Sequence, residues 1–395
     1  MPTNTPHVAG EGSAAGVTAA APSVLARYMP ALDGLRGIAI LWVISLHLPG
    51  QMEPSANPVA RRGAVGVELF FAISGLLVTR SLYQCVAEAA RRGKSTFSVV
   101  RDFAARRISR IWPPYFLTLA AAFAGLLLDP TFRQHSDRIR EVFWAYPTFA
   151  ANYVIPTHEP SLSLTVMWSL CFEEQFYVLL LLMYLVAPKR LSWLILVAAL
   201  GSIVARFTAA LCWPEVFHPE LLTNSVMQME THWRFDALAW GCLGWIFHER
   251  IANFWQNTRH RELLQSLLLV GSVIVSVPRE CGVVEHAALY LLMAPLFTGL
   301  VLALAFSPKF WLQRLLSWPP LAWVGVISYE IYLSHVVVYR TLNRLHLDRW
   351  LLVYYAVCVT LALAVGWAFH RVFGKPTQRW VRAWLSEPRA PKQPI

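Results

Sequence analysis

Charged side chains are scarce in this sequence. Only 14% of the 395 residues are Asp, Glu, Lys or Arg, whereas 56% are hydrophobic. A soluble domain has about a quarter of its residues charged, so this balance excludes a disordered protein and argues against an ordinary cytosolic enzyme. Acidic residues are the scarcer sign, 23 against 34 Lys and Arg, giving a formal net charge of +11. In so apolar a chain we interpret that excess as a topology signal and as attraction to anionic lipid or a phosphorylated substrate, not as nucleic-acid binding.

Motifs for bound metals and cofactors are also missing. The six cysteines are scattered and form neither a CxxC pair nor a His/Cys cluster. P-loop, GxSxG, HExxH and dinucleotide-binding glycine patterns do not occur in a supporting context. We therefore expect no metal, no permanently bound cofactor and no covalent serine mechanism. The first 27 residues lack the basic and apolar regions of a signal peptide, which predicts a disordered cytosolic tail.

What the sequence does contain is a series of apolar runs of membrane-spanning length. They lie at about 34–49, 65–83, 109–128, 162–187, 191–212, 233–247, 263–277, 287–306, 320–340 and 350–371. The shorter stretch 141–155 contains Pro147 and Asn152. Lys and Arg favour cytosolic loops, and their distribution obeys this rule if 141–155 does not cross the membrane.

The pattern predicts an all-α, polytopic transmembrane bundle of about ten spanning helices plus one re-entrant or interfacial helix, with both termini cytosolic. The domain organisation that we predict is a tail at 1–27, a membrane domain at 28–385 and a flexible tail at 386–395.

Ionisable residues inside membrane spans are costly and are candidates for function. Arg36 and His47 stand eleven residues apart in the first span. This spacing is close to three turns, or about 16 Å, so both side chains face the same side of the helix. A cation at the cytosolic end and a titratable base at the outer end suit a substrate that reaches across the bilayer. A snorkelling Arg and a His at a helix end would be equally compatible with the pattern.

Further charged residues recur at the other spans. Glu68 begins the second span at the level of His47, where a carboxylate can orient a His and raise its basicity. A cluster of arginines precedes the third span: Arg106, Arg107 and Arg110. Such a cluster suits phosphate binding, although arginines that only anchor the cytosolic end of a span would give the same pattern.

The fourth span carries Glu173 and Glu174 in its interior. Adjacent residues point to different sides of a helix, so at least one carboxylate must enter a polar cavity, unless both bond structurally to neighbouring spans. Arg234 and Asp236 open a later span, where they could pair or hold a polar acceptor, and the ninth span contains Glu330 and His335.

These pieces, in this order, resemble the acyltransferase 3 family of membrane acyltransferases. The matching text is LDGLRGIAILWVISLH, GVELFFAISGLLVT, RRISRIWPPY, WSLCFEEQFY and ISYEIYLSH, within about 30–375. The resemblance implies transfer of an acyl group, with acetyl expected, from cytosolic acyl-CoA as co-substrate. The implied acceptor is a sugar hydroxyl of a surface polysaccharide, a glycolipid or a glycosylated metabolite. It also implies a multi-pass protein of the bacterial inner membrane.

The resemblance assigns roles to particular positions. It implies that His47 is the base, that Arg36, Arg107 and Arg110 contact the donor, and that the carboxylate of the WSLxxE piece is Glu173. Two departures stand out: Glu68 replaces the usual Asp, and Gly374 stands where the family usually has Glu.

Together, the residues and the resemblance predict a site of three parts. The catalytic candidates are His47, Glu173 and Glu68, with the choice of carboxylate beside His47 left open. The donor-binding candidates are Arg36, Arg106, Arg107 and Arg110. The acceptor-binding candidates are Arg234, Asp236, His335, Ser74 and Trp168.

A different class of protein would use the same buried charges. A proton-coupled secondary transporter also places Glu, His and Arg within the membrane, although the two halves of this chain show no repeat. Consumption of acyl-CoA distinguishes the two functions, because a transporter consumes none.

Overall fold

The computed structural model of the chain describes residues 28–48, 63–128, 141–158, 164–214, 225–277, 282–307, 310–343 and 351–385. Within these ranges all regular secondary structure is helical, which confirms the predicted all-α class. The predicted tails at 1–27 and 386–395 lie outside the described residues. The α-helices are α1 (Pro30–Leu46), α2 (Val65–Arg91), α3 (Thr96–Leu128), α4 (Ala151–His158), α5 (Trp168–Val186), α6 (Leu191–Cys212), α7 (Ser225–Met229), α8 (Thr231–Arg234), α9 (Asp236–Ile246), α10 (His248–Asn257), α11 (Arg261–Ser276), α12 (Val283–Phe306), α13 (Trp311–Leu316), α14 (Pro319–Val326), α15 (Ser328–Asn343), α16 (Leu351–Phe369) and α17 (Lys375–Leu385).

Several of these helices are long and apolar enough to cross a bilayer. Within the described ranges there are five such helical segments: Val65–Arg91, Thr165–Val186, Pro188–Cys212, Val283–Phe306 and Leu352–Leu385. A sixth is possible if α14 and α15, which meet at 74°, count as one broken span. The chain is thus built as a multi-pass membrane protein. Ten crossings and cytosolic termini remain predictions.

The expected ninth span, 320–340, is broken, and the packing of α1 explains the break. Gly325 of α14 lies against the carbonyl oxygen of Asp33, and Gly37 of α1 lies against that of Leu321. A β-carbon at either glycine would overlap the opposing backbone, so only small residues permit this approach of two helices. The tight contact ends α14 at Val326, and α15 starts in a new direction beside α1.

The stretch 141–155 contains turns and the first five residues of the eight-residue helix α4. Eight residues extend for about 12 Å, which is too short to cross a bilayer alone. Its backbone is held by a buried polar network in which Gln175 of α5 donates to the carbonyl oxygen of Phe149 at 2.7 Å and to Asn152 at 2.8 Å. Asn152 also donates to Thr231 at 3.1 Å. The irregular backbone of this stretch is therefore bonded to protein, as a re-entrant segment would require.

Helix α2 is the central element of the bundle, since α1, α3, α5, α9 and α12 all contact it. Its fully buried Phe71 stacks on Phe172 of α5, with ring centroids 4.6 Å apart. The large rings of this core hold α2 and α5 in register. They thereby determine which polar residues of the two helices face each other.

Candidate active site

A cavity lies between α1, α2, α3, α5 and α15. The empty space among its lining atoms is about 750 Å³, including the part open to the outside. Its polar lining consists of three arginines, one carboxylate and six hydroxyl groups: Arg36, Arg107, Arg110, Glu173, Ser74, Ser169, Ser328, Tyr177, Tyr329 and Tyr332. Three guanidinium groups against one carboxylate make the lining cationic, so the cavity favours an anionic ligand.

The arginines enter this cavity from two helices. Arg36 of α1 donates to the Ser328 hydroxyl at the start of α15, at 3.2 Å. Arg107 and Arg110 are three residues apart on α3, which places them on one face of the helix. Arg106 lies on a neighbouring face and instead donates to Gln84 of α2 at 2.9 Å. Of the four predicted donor-binding arginines, the structure brings three together and leaves Arg106 outside the cavity lining.

The two adjacent carboxylates of α5 separate as their spacing requires. Glu173 faces the cavity, where it accepts a hydrogen bond from Ser74 at 3.2 Å and another from the Tyr177 hydroxyl. Glu174 points to α3 and accepts a hydrogen bond from the indole N–H of Trp112 at 3.0 Å. Ser74, predicted to bind the acceptor, is therefore a partner of Glu173.

His47 follows directly on the last residue of α1. Its Nδ1 lies 3.0 Å from the carbonyl oxygen of Val43. A carbonyl oxygen can only accept, so Nδ1 carries the proton and Nε2 keeps the lone pair needed by a general base. Its ring meets that of His335 edge to face, with centroids 4.9 Å apart.

His335 is the buried member of this histidine pair. Its side chain has no solvent exposure, and its Nδ1 lies 2.8 Å from the carbonyl oxygen of Tyr332. By the same reasoning its Nε2 is unprotonated, and no residue within the described ranges bonds to that atom. Arg36 and His47 thus both face α15, since one contacts Ser328 and the other His335.

Tyr332 contacts both the arginine cavity and the histidine pair. Tyr332 lines the cavity and donates to the carbonyl oxygen of Val166 at 2.7 Å. On its other side its ring lies 5.8 Å from that of His335, which contacts His47. His47 does not line the cavity, and the ring contacts that connect it to the cavity run through His335 and Tyr332.

Glu68 has a different partner from the one expected. Its carboxylate forms a buried ion pair with Arg234 of α8 rather than with His47. Asp236 likewise pairs with Arg206 of α6 at 2.9 Å. All four side chains are nearly or fully buried, and Arg234 and Asp236 each pair with a residue of another helix. That they hold an acceptor stays a prediction. Arg234 also lies over the ring of Tyr290, 3.6 Å from its centroid.

Two other predicted residues have local packing partners. Trp168 is buried with its ring edge-on to Phe71 at 6.0 Å, so the neighbouring Ser169, not Trp168, lines the cavity. Glu330 accepts a hydrogen bond from His370 at 2.9 Å. A β-carbon at position 374 would overlap the Glu330 carboxylate, so this placement of Glu330 requires glycine at 374.

Sequence reasoning missed several polar residues of the interior. Arg206 stands in the middle of an apolar run, and that position alone is a signal of function or pairing. Tyr177 and Tyr332 had no such signal, because an aromatic residue in a membrane helix is usually a packing residue or lies at the interface. Only the fold shows that their hydroxyl groups enter the site.

The fold and the site together define an all-helical, multi-pass membrane protein with a cationic cavity inside the bundle and a histidine pair beside it. The model of a family described as "Acyltransferase domain" matches residues 29–371. The chain therefore belongs to this acyltransferase family, which confirms the family expected from the motifs.

Curated relatives carry related names. OatA of Staphylococcus aureus (strain NCTC 8325 / PS 47), an O-acetyltransferase, is 26% identical over 381 residues, covering 89% of this chain and 58% of OatA. YrhL of Bacillus subtilis (strain 168), provisionally named a peptidoglycan O-acetyltransferase, is 29% identical over 327 residues, covering 79% of this chain and 49% of YrhL. The chain thus spans about half the length of the curated relatives it matches. No solved structure matches the chain at a significant level.

Proposed function

We propose that this protein transfers an acetyl group from acetyl-CoA to a sugar hydroxyl of a cell-surface glycan in the bacterial inner membrane. The observation that carries the proposal is the cavity lined by Arg36, Arg107, Arg110 and Glu173, from which ring contacts lead through Tyr332 and His335 to His47. The names of the relatives favour peptidoglycan as the glycan.

The donor is bound by charge. Guanidinium groups are permanently charged and bond phosphate or carbonyl oxygens through a planar fork of N–H groups. The arginines of α3 would meet the phosphate end of acetyl-CoA, and Arg36 of α1, which bonds to Ser328 at the start of α15, would meet the arm that enters the bundle. The thioester would reach the histidine pair past Tyr332, which borders both the cavity and His335.

Transfer is a direct displacement. Nε2 of His47 takes the proton of the acceptor hydroxyl while its oxygen attacks the thioester carbonyl carbon. The new C–O bond forms and the C–S bond breaks, and the proton on His47 passes to the departing CoA sulfur. General-base assistance of this kind typically contributes about 10²–10⁴ in rate. Glu173 balances charge in the donor cavity and is not the partner of His47.

The test is acetyl transfer by the purified full chain in detergent. Wild type should release CoA from acetyl-CoA and acetylate a peptidoglycan disaccharide, N-acetylglucosamine linked to N-acetylmuramic acid. His47→Gln should lower kcat by about 10²–10⁴ with little change in the KM for acetyl-CoA. Retained turnover in this variant would exclude His47 as the general base. If the wild-type protein consumed no acetyl-CoA, the result would favour a transporter over a transferase.

A further inference from the structure

Two exposed aromatic rings stand at the end of the bundle where α4 and α8 meet. The side chain of His232 is 50% exposed, and Tyr153 is 37% exposed. Their ring planes lie within 3° of parallel, with centroids 5.7 Å apart. The Tyr153 hydroxyl lies 3.3 Å from Nδ1 of His232, so the pair is joined by a hydrogen bond as well as by ring contact.

A buried polar network holds these rings in place. Tyr153 directly follows Asn152, and His232 directly follows Thr231. Asn152 and Thr231 are buried and bonded to each other at 3.1 Å, and both bond to Gln175 of α5, at 2.8 and 2.5 Å. Aromatic residues of an interfacial belt need only lipid headgroups around them. A satisfied polar network beneath two exposed rings is instead the support expected of a pre-organised binding surface.

The rings have a polar edge. Glu230 accepts a hydrogen bond from the indole N–H of Trp233 at 2.9 Å, and its carboxylate lies 3.6 Å from Nε2 of His232. Burial lowers the pKa of His232 and raises that of Glu230. The lowered pKa favours the neutral form of the His232 ring.

Buried contacts connect this surface to the candidate base. Arg234, two residues after His232, pairs with Glu68 in the first turn of α2. In the same turn Gly66 packs closely on Val43: a β-carbon placed on Gly66 would lie only 2.9 Å from the Cγ2 atom of Val43. The carbonyl oxygen of Val43 bonds to His47. The ring pair thus lies on the same end of the bundle as His47, one helix away.

We infer that Tyr153 and His232 form a docking platform for a sugar ring of the acceptor glycan, with Glu230 accepting hydrogen bonds from its hydroxyl groups; this rests on the proposed function. The axial C–H bonds of a pyranose form a flat, weakly positive face that matches the negative face of an aromatic ring. The hydroxyl groups at the edge of the sugar need acceptors, which a carboxylate supplies.

Steady-state kinetics with the full chain in detergent, acetyl-CoA and the peptidoglycan disaccharide test the platform. Tyr153→Ala and His232→Ala should each raise the acceptor KM about three- to tenfold, with unchanged kcat and unchanged KM for acetyl-CoA. Tyr153→Phe, which keeps the ring, should stay within about twofold of wild type. Trp213→Ala is the matched control, because Trp213 is 55% exposed and follows the last residue of α6. It should behave as wild type.

Disaccharide binding without acetyl-CoA, measured by saturation-transfer difference NMR, separates this inference from the transferase function. Binding by wild type that both alanine variants lose supports the platform even if no acetyl is transferred. An unchanged acceptor KM in both alanine variants, or an equal rise in the KM for acetyl-CoA, would overturn it. A loss in Trp213→Ala equal to that in Tyr153→Ala would also overturn it, because a general interfacial effect would then explain both.

Discussion

Glu68→Leu tests whether the carboxylate of α2 is structural or catalytic. In the structure its side chain is 3% exposed and that of Arg234 is fully buried. Nε and Nη1 of Arg234 have no hydrogen-bond partner within the described ranges, so its bond to Glu68 is the one that neutralises it directly. Removal of one partner of a buried ion pair typically costs about 3–5 kcal/mol, because the other charge stays buried and uncompensated.

This cost translates into a measurable loss of thermal stability. At about 2 °C per kcal/mol, the value for the larger chains, the apparent melting temperature should fall by about 6–10 °C. The assay is tryptophan or dye fluorescence of the detergent-purified protein during heating. The contact of Arg234 with the Tyr290 ring remains in the variant and keeps the loss within this range.

A double variant separates the two roles of Glu68. Glu68→Leu combined with Arg234→Met replaces the ion pair with apolar side chains of similar size, which is often neutral or stabilising for a buried pair. We expect the double variant to recover most of the lost melting temperature and to keep kcat within about threefold of wild type. Full thermal recovery with kcat still reduced 10²-fold would refute this reasoning and return Glu68 to the chemistry at His47.

Three further predictions concern the donor cavity, the histidine pair and the buried network. Arg110→Ala should raise the KM for acetyl-CoA at least about tenfold, because a charge-assisted hydrogen bond of about 1.5–3 kcal/mol is lost. Arg106 bonds outside the cavity, so Arg106→Ala should change this KM less than about threefold. His335→Phe keeps an aromatic ring beside His47 but removes the two ring nitrogens of His335. This variant should lower kcat by up to about 10²-fold at unchanged KM for acetyl-CoA. An unaltered kcat would exclude a role of His335 in positioning His47. Gln175→Leu leaves the buried partners of Gln175 unsatisfied, so it should destabilise the protein by about 2–4 kcal/mol in thermal unfolding and also raise the acceptor KM. A stable variant with wild-type kinetics would contradict both expectations.

The helical class and the general position of the site could be predicted because they depend on local pattern. Apolar runs of spanning length require helices, since a bilayer offers backbone groups no other partner. The three-residue spacing of Arg107 and Arg110 and the adjacency of Glu173 and Glu174 determine which of them share a face. The structure has Glu173 in the cavity and Glu174 outside it, as helix periodicity requires of neighbours.

The pairing of charges could not be predicted in this way. Glu68, Arg234, Asp236 and Arg206 come from four different helices, and sequence distance carries no information on which cation meets which carboxylate. The break of the ninth span had the same origin, because it depends on glycine contacts between α1 and α14.

The sequence by itself determined that this chain is an all-helical membrane protein of the acyltransferase family, with arginines, carboxylates and histidines inside its apolar runs. These properties follow from composition, periodicity and motif order. Only the tertiary structure decided that His47 lies against His335, that Glu68 is neutralised by Arg234, and that Tyr332 borders both the arginine cavity and His335. The physical reason is that a buried charge or lone pair is stabilised by whichever group the packing of distant helices brings within hydrogen-bond distance.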